Sequence, residues 1–232
     1  MSIPQSLCVI PARGGSQRFP GKNKAILDGR PLIYHSIQLA AENFTSVAFC
    51  SDCPELRDIA SQLKLSNVGI YDQPTASNTS KVLDCLKDVY EQRENDGFDE
   101  IWMFLPTCPL RQHGDVVECK NILRTGYKFV VSITDMDFPP SLSLNIGVNG
   151  TIHSTCPSRP WETKHHRSQE HRLCYRPNGA IYGARWGCFR DNDFNFYTNT
   201  DTVGHYMPPN RSIDIDYEQD LRIAQAMMDE KC

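Results

Sequence analysis

Short apolar runs alternate with amphipathic stripes through the first 135 residues. Leu7–Ile10, Val47–Cys50 and Ile101–Leu105 are apolar throughout, and Phe129–Ile133 is apolar apart from Ser132. Runs of that kind suit strands covered on both faces of a parallel sheet. Between them Val82, Leu83, Leu86, Val89 and Tyr90 fall on one stripe of a helix. Ile33, Ile37, Ala40 and Phe44 form a second stripe after Pro31, and Leu56, Ile59, Ala60 and Leu63 a third after Pro54, where proline suits a helix start. The order β-α-β-α-β-α-β-α-β predicts an α/β fold, a Rossmann-like three-layer sandwich on a mostly parallel sheet.

The rhythm breaks from about residue 135 to 175, a stretch rich in proline, histidine and charge. It is too long for an ordinary loop, so it reads as an arm inserted into one domain spanning 1–232. The pattern resumes at Gly179–Tyr182, and Leu221, Ala224, Met227 and Met228 mark a last helix.

Composition narrows the function classes. The chain has 232 residues, 40% of them apolar, with 24 basic against 28 acidic side chains. That apolar content and the small net charge argue against disorder, and the lack of a basic excess argues against bulk nucleic-acid binding. No apolar run approaches the roughly 20 residues of a membrane span, and the first residues lack the basic start of a secretory signal. A cytoplasmic protein is expected. Ten cysteines are scattered along the chain, and Cys50-Ser51-Asp52-Cys53 spells C-x-x-C. Without a second pair at ligand spacing, a zinc or thiol-redox site is the weaker reading, and most of these thiols are expected to pack as small hydrophobes.

Two constellations carry chemistry. In an open parallel sheet ligands bind beyond the carboxyl ends of the strands, where strand order reverses. The loop after the first strand, Pro11 to Lys24, holds Gly14, Gly15 and Gly21 together with Arg13, Arg18, Lys22 and Lys24. Glycines let a backbone approach closely, and four cations in an acidic chain suit a polyphosphate. The spacing is neither G-x-x-x-x-G-K-[ST] nor G-x-G-x-x-G. The second constellation is Ser212-Ile213-Asp214-Ile215-Asp216, with Asp220 following. On an extended segment Asp214 and Asp216 share a face while Ile213 and Ile215 pack behind. Two carboxylates about 4 Å apart repel by about 4 kcal/mol at an effective dielectric near 20, a repulsion that a hard divalent cation removes. Alternatively Asp216 caps the helix that follows and Asp214 is simply solvated.

Ile10–Asn23 (IPARGGSQRFPGKN), Leu105–Arg111 (LPTCPLR), Arg176–Tyr182 (RPNGAIY) and Ser212–Leu221 (SIDIDYEQDL) together resemble the CMP-sialic acid synthetases, or acylneuraminate cytidylyltransferases. Their order, spacing and the overall length match a short single-domain member. The resemblance implies attack of a sugar hydroxyl on the α-phosphate of CTP, giving a CMP-sugar and pyrophosphate with Mg2+ as cofactor. It implies catalytic roles for Arg13, Lys22, Asp214 and Asp216, the two aspartates as metal ligands. Nucleotide contacts would come from Ala12, Arg13, Gly14, Gly15, Ser16, Arg18, Lys22, Asn23 and Asn78. Acceptor contacts would come from Leu105, Thr107, Arg111, Arg167, Asn178 and Tyr182. It also implies a homodimer in which the arm crosses toward the partner's site.

Several positions depart from the family pattern, and the departures cluster. Gln17 stands where the family has lysine, with Arg18 adjacent, and Gln73-Pro74 where it has arginine before proline. Leu105 replaces a glutamine that touches the sugar, and Pro140–Ser143 replaces a lysine expected near the start of the arm. An apolar side chain cannot replace a lost amide contact. The nucleotide half is therefore expected to be retained and the acceptor half altered, which points to an acidic nonulosonate such as legionaminic or pseudaminic acid. A nucleotide-binding homologue without turnover is the competing reading.

Overall fold

A computed structural model describes residues 4–73, 82–165, 167, 169 and 172–229. In chain order its elements are β1 (Ser6–Pro11), β2 (Ile26–Leu27), β3 (Arg30–Pro31), α1 (Leu32–Asn43), β4 (Ser46–Ser51), α2 (Pro54–Gln62), β5 (Val68–Asp72), α3 (Val82–Gln92), β6 (Glu100–Met103) and α4 (His113–Arg124). They continue as β7 (Phe129–Asp135), β8 (Leu144–Ile146), β9 (Ile152–Ser154), α5 (Pro160–Thr163), β10 (Tyr175–Arg185), α6 (Trp186–Asp191), β11 (Thr202–Tyr206) and α7 (Glu218–Asp229).

Seven strands form the central sheet in the order β11-β7-β10-β6-β1-β4-β5. All neighbours run parallel except β10, which is antiparallel to both β6 and β7. The chain leaves β1 toward β4 and β5, then returns to place β6 on the other side of β1. The loop after β1 therefore opens at the reversal of strand order, where a ligand crevice forms.

The layers follow from the alternation of side chains along each strand. In β1, Cys8 and Ile10 join a core with Ile33 and Ile37 of α1 and Val116 of α4. Leu7 and Val9 join the opposite core with Leu86, Val89 and Tyr90 of α3 and Phe189 of α6. Burial on both faces explains why β1, β4, β6 and β7 are legible as largely apolar runs. At the β6–β10 contact a methyl group on Gly183 would lie 2.3 Å from the ring of Trp102, so only glycine lets the two strands pair there.

The structure adds elements that the apolar pattern does not mark. β5 and β11 are half-exposed edge strands, and α4 begins on the polar His113-Gly114-Asp115. The run at Gly179–Tyr182 is part of the eleven-residue β10, whose pairing with β7 shifts register between Pro177 and Tyr182. The third run ends as a strand at Met103 and not at Leu105.

Between β7 and β10 lies the arm, with the antiparallel β8–β9 hairpin and the single turn of α5. Leu142 at its base is buried, but several of its apolar side chains face outward: Ile146 and Val148 are 80% and 85% exposed. The C-x-x-C pair is split between layers, with Cys50 in the α3-side core and Cys53 packed against the α1-side core. All nine described cysteines are free thiols. Among the described residues no helix is long and apolar enough to cross a membrane.

Candidate active site

The loop after β1 and the segment before α7 meet above the carboxyl end of β1. Lys22 joins them directly. Its Nζ donates to the Ile215 carbonyl at 2.8 Å and to Asp216 Oδ1 at 3.0 Å, across 194 positions of chain. Arg18 takes the other oxygen of Asp216 at 2.8 Å, and its guanidinium lies 5.6 Å from the ring centre of Tyr217.

Local sequence explains how the loop reaches that place. The Ala12 N–H donates to the Cys50 carbonyl and carries the β1–β4 pairing one residue further. The Gly14 N–H then donates to Asp52 Oδ1 at 2.6 Å, so one loop amide is already taken by the protein. Among the described residues the N–H groups of Gly15, Ser16 and Gln17 make no hydrogen bond to a protein acceptor. Gly21, at φ 72°, takes a left-handed turn that starts the short 3-10 helix Lys22–Lys24. Asn23 within it is buried, and its Nδ2 donates to the Arg13 carbonyl at 2.9 Å. The Asn23 Oδ1 is buried without a partner, which costs free energy until a donor reaches it. Arg13 is exposed, and Lys24 pairs with Glu55 away from the doublet.

The acidic segment is irregular and anchored on both sides. The Ile215 N–H donates to the Thr107 carbonyl at 2.8 Å, and the Ile215 side chain is buried under α7 with Leu27, Leu32 and Leu110. Asp214 is exposed on one side of Ile215, and Asp216 is half-buried on the other. The cap of α7 is not Asp216. Asp220 Oδ2 accepts the N–H groups of Asp216 and Tyr217 at 2.9 and 2.8 Å, which leaves the Asp216 carboxylate to Lys22 and Arg18.

Next to Asp214 stands the loop after β6. The Cys108 thiol lies 3.7 Å from Asp214 Oδ1 and donates to the Asn178 carbonyl at 3.0 Å. Burial, with the nearby Asp214 charge, pushes this thiol up to about 12. Tyr182 is half-buried beside the same pair, and burial pushes its hydroxyl up to about 12 as well, with Cys108 and Asp214 adding to the effect. Leu105 is partly buried, presses toward Gly179 and completes this ground with Thr107.

Two expected acceptor contacts are turned inward instead. Arg111 is 5% exposed. It donates to Ser36 Oγ at 2.8 Å and to the Leu105 carbonyl, and its guanidinium lies 4.5 Å from the ring centre of Phe104. Burial lowers it to about 10. Asn178 is 1% exposed, and its Oδ1 accepts from Ser132 Oγ and the Ala180 N–H while its Nδ2 donates to Ser212 Oγ. Both side chains brace the loops, although among the described residues the buried Arg111 Nε has no partner. Gln73 is likewise buried, with its Nε2 on Asp88 of α3 at 2.7 Å. Arg167 is exposed in the arm, and no contact among the described residues joins it to the cluster. Asn78 lies outside the described residues.

The carboxylates expected to hold a cation are Asp214 and Asp216; Lys22 and Arg18 here engage both oxygens of Asp216. Among the described residues no group of three or more histidine, cysteine or acidic side chains gathers to hold a metal ion. Two hard oxygen donors beside a cationic loop fit a magnesium ion that completes its shell with phosphate oxygens and water. They do not fit zinc.

Residues 7–110 match a family model described as Cytidylyltransferase. The chain is 28% identical to the pseudaminic acid cytidylyltransferase of Campylobacter jejuni, with 96% of each chain aligned. It is also 28% identical to the CMP-N,N'-diacetyllegionaminic acid synthase of Legionella pneumophila, again over 96% of both. Among solved structures, that of CMP:2-keto-3-deoxy-manno-octonic acid synthetase complexed with CTP superposes with a TM-score of 0.68 at 18% identity, covering 98% of this chain and 100% of that one.

The loop's shape yields a direct test. A methyl group on Gly14 would meet Cys53 Cβ at 2.7 Å and Sγ at 3.3 Å. Gly14→Ala should therefore destabilise the protein by about 1–3 kcal/mol in a denaturant melt. Adding Cys53→Gly should recover part of that loss; strictly additive effects would show that the two residues do not press on each other.

Proposed function

We propose that this chain, whose residues 7–110 carry the sequence of the cytidylyltransferase family, activates an acidic nonulosonate with CTP. A sugar hydroxyl attacks the α-phosphate, the bond to the β-phosphate breaks, and a CMP-sugar and pyrophosphate are released. The observation that carries this reading is the Lys22 bridge, which joins the cationic loop after β1 to Ile215 and Asp216 of the late acidic segment. The two full-length relatives, each acting on a nonulosonate by name, support the acceptor class.

The residues divide the work. Arg13, Arg18 and Lys22 offset phosphate charge, and the N–H groups of Gly15 and Ser16 approach the phosphates closely, with Ala12 and Gly14 setting the loop's course. Transfer at phosphorus is mostly positioning and charge neutralisation, so such groups can supply much of the rate. Asn23 Oδ1 offers an acceptor to a donor on the nucleotide. Asp214 and Asp216 are the side chains that would hold a magnesium ion, whose charge would neutralise the phosphates and polarise the reacting centre. Leu105, Thr107 and Tyr182 border the acceptor side. Leucine at 105 offers that acceptor packing and no hydrogen bond.

The arm supports a homodimer. Ile146 and Val148 expose apolar surface that a second copy of the chain would cover. The nine free thiols suit the reducing cytoplasm.

Pyrophosphate release from CTP, assayed with pseudaminic, legionaminic and N-acetylneuraminic acids, tests the function. Turnover with at least one of them is expected, and Lys22→Ala should lower kcat/KM for CTP by about tenfold or more through lost charge neutralisation. CTP binding without turnover on any acceptor would identify a nucleotide-binding homologue instead. Ile146→Asp with Val148→Asp should give monomers by sedimentation equilibrium; an unchanged oligomeric state would place the interface elsewhere.

A further inference from the structure

The segment bearing Asp214 and Asp216 has no helix or strand of its own, so side chains must fix where it stands. Its first anchor is Arg211, whose Nη1 pairs with Asp115 Oδ2. Asp115 lies in the first turn of α4 and is only 4% exposed. Its Oδ1 is 3.3 Å from His205 Nε2 on β11, and the Gln112 N–H donates to its Oδ2 at 2.8 Å. One buried carboxylate thus joins β11, the start of α4 and the entry to the acidic segment. α4 is in turn reached straight from the loop whose Thr107 carbonyl accepts the Ile215 N–H.

A buried carboxylate is costly unless every oxygen is engaged, and replacing such a network by apolar groups is often neutral for stability. Its use here is better explained by what it aligns. Burial raises the Asp115 carboxyl, but the hydrogen bonds from His205 and Gln112 and the charge of Arg211 together outweigh burial and leave it below its ordinary range. The ion pair therefore persists at neutral pH.

We propose that Asp115 is a positioning residue for the transfer: through Arg211 it sets where residues 212–216 stand over the phosphate loop. It touches no reacting atom. The proposal rests on the cytidylyltransferase reading for its kinetic consequence, but not for its structural one. Displacing a catalytic group by about 1 Å from a distance can cost a hundredfold in rate.

Asp115→Asn and Arg211→Met in the full chain test this by hydrogen–deuterium exchange with kinetics alongside. Arg211 is partly exposed, so the second variant serves if the first does not fold. Peptides covering 107–112 and 212–216 should exchange at least tenfold faster while β1, β4 and β6 keep their protection. The kcat should fall at least tenfold, the affinity for CTP should stay within twofold, and Arg211→Lys should restore part of kcat. Unchanged exchange at 212–216, a rise spread evenly over the chain, or faster local exchange with kcat intact would each overturn the proposal. If wild-type protein releases no pyrophosphate with any acceptor, the functional reading fails, and the exchange pattern alone decides whether Asp115 holds the segment.

Discussion

Everything proposed for this protein depends on a contact between two oppositely charged segments far apart in the chain. Lys22 is held by the Ile215 carbonyl and Asp216, and Arg18 takes the remaining oxygen of Asp216. Without a ligand the cations and the carboxylate neutralise one another. A triphosphate with its counter-ion would offer each of them a new partner: phosphate oxygens for Arg18 and Lys22, a metal ion for Asp216. The protein's resting ion pairs thus involve the same groups to which the proposed chemistry gives its work. The contact also explains why a loop rich in cations can sit over a buried strand in an acidic protein without dispersing into solvent.

Much of the fold was legible because the sheet is covered on both sides. Residues such as Leu7, Cys8, Val9 and Ile10 are all buried, so apolar runs mark the inner strands whatever face each side chain takes. The same rule hides β5 and β11, which lie at the sheet's edges and mix exposed with buried positions. It also hides the antiparallel sense of β10, because direction leaves no trace in hydrophobic pattern.

The site divides in a similar way. That Lys22, Arg18 and Asp216 would need partners was legible, because charge concentrated beside a strand end needs a reason. Asp220 was visible but its use was not: Asp216 was the cap offered, whereas Asp220, inside α7, reaches back to the N–H groups of Asp216 and Tyr217. Arg111 and Asn178 could not be told from ligand-binding residues by type alone. A polar side chain near a site binds a ligand or braces a loop, and only the partners of Arg111 on Ser36 and of Asn178 on Ser132 and Ser212 decide between them. Asp115 carried no signal at all, because its partners His205 and Arg211 are about ninety residues away. Beside these inward turns stand Leu105, Thr107 and Tyr182, a ground more apolar than the cationic loop after β1 and the one proposed to border the acceptor.

The most direct measurement of the central claim is manganese binding followed by electron paramagnetic resonance, with and without CTP. Linkage requires that if one ion is shared by the doublet and the triphosphate, CTP tightens the metal and the metal tightens CTP by the same factor. The account predicts weak binding of manganese alone, tightening of about tenfold or more with CTP beyond the ion's affinity for free CTP, and loss of that gain in Asp216→Asn. Equal gain in wild type and Asp216→Asn would contradict it.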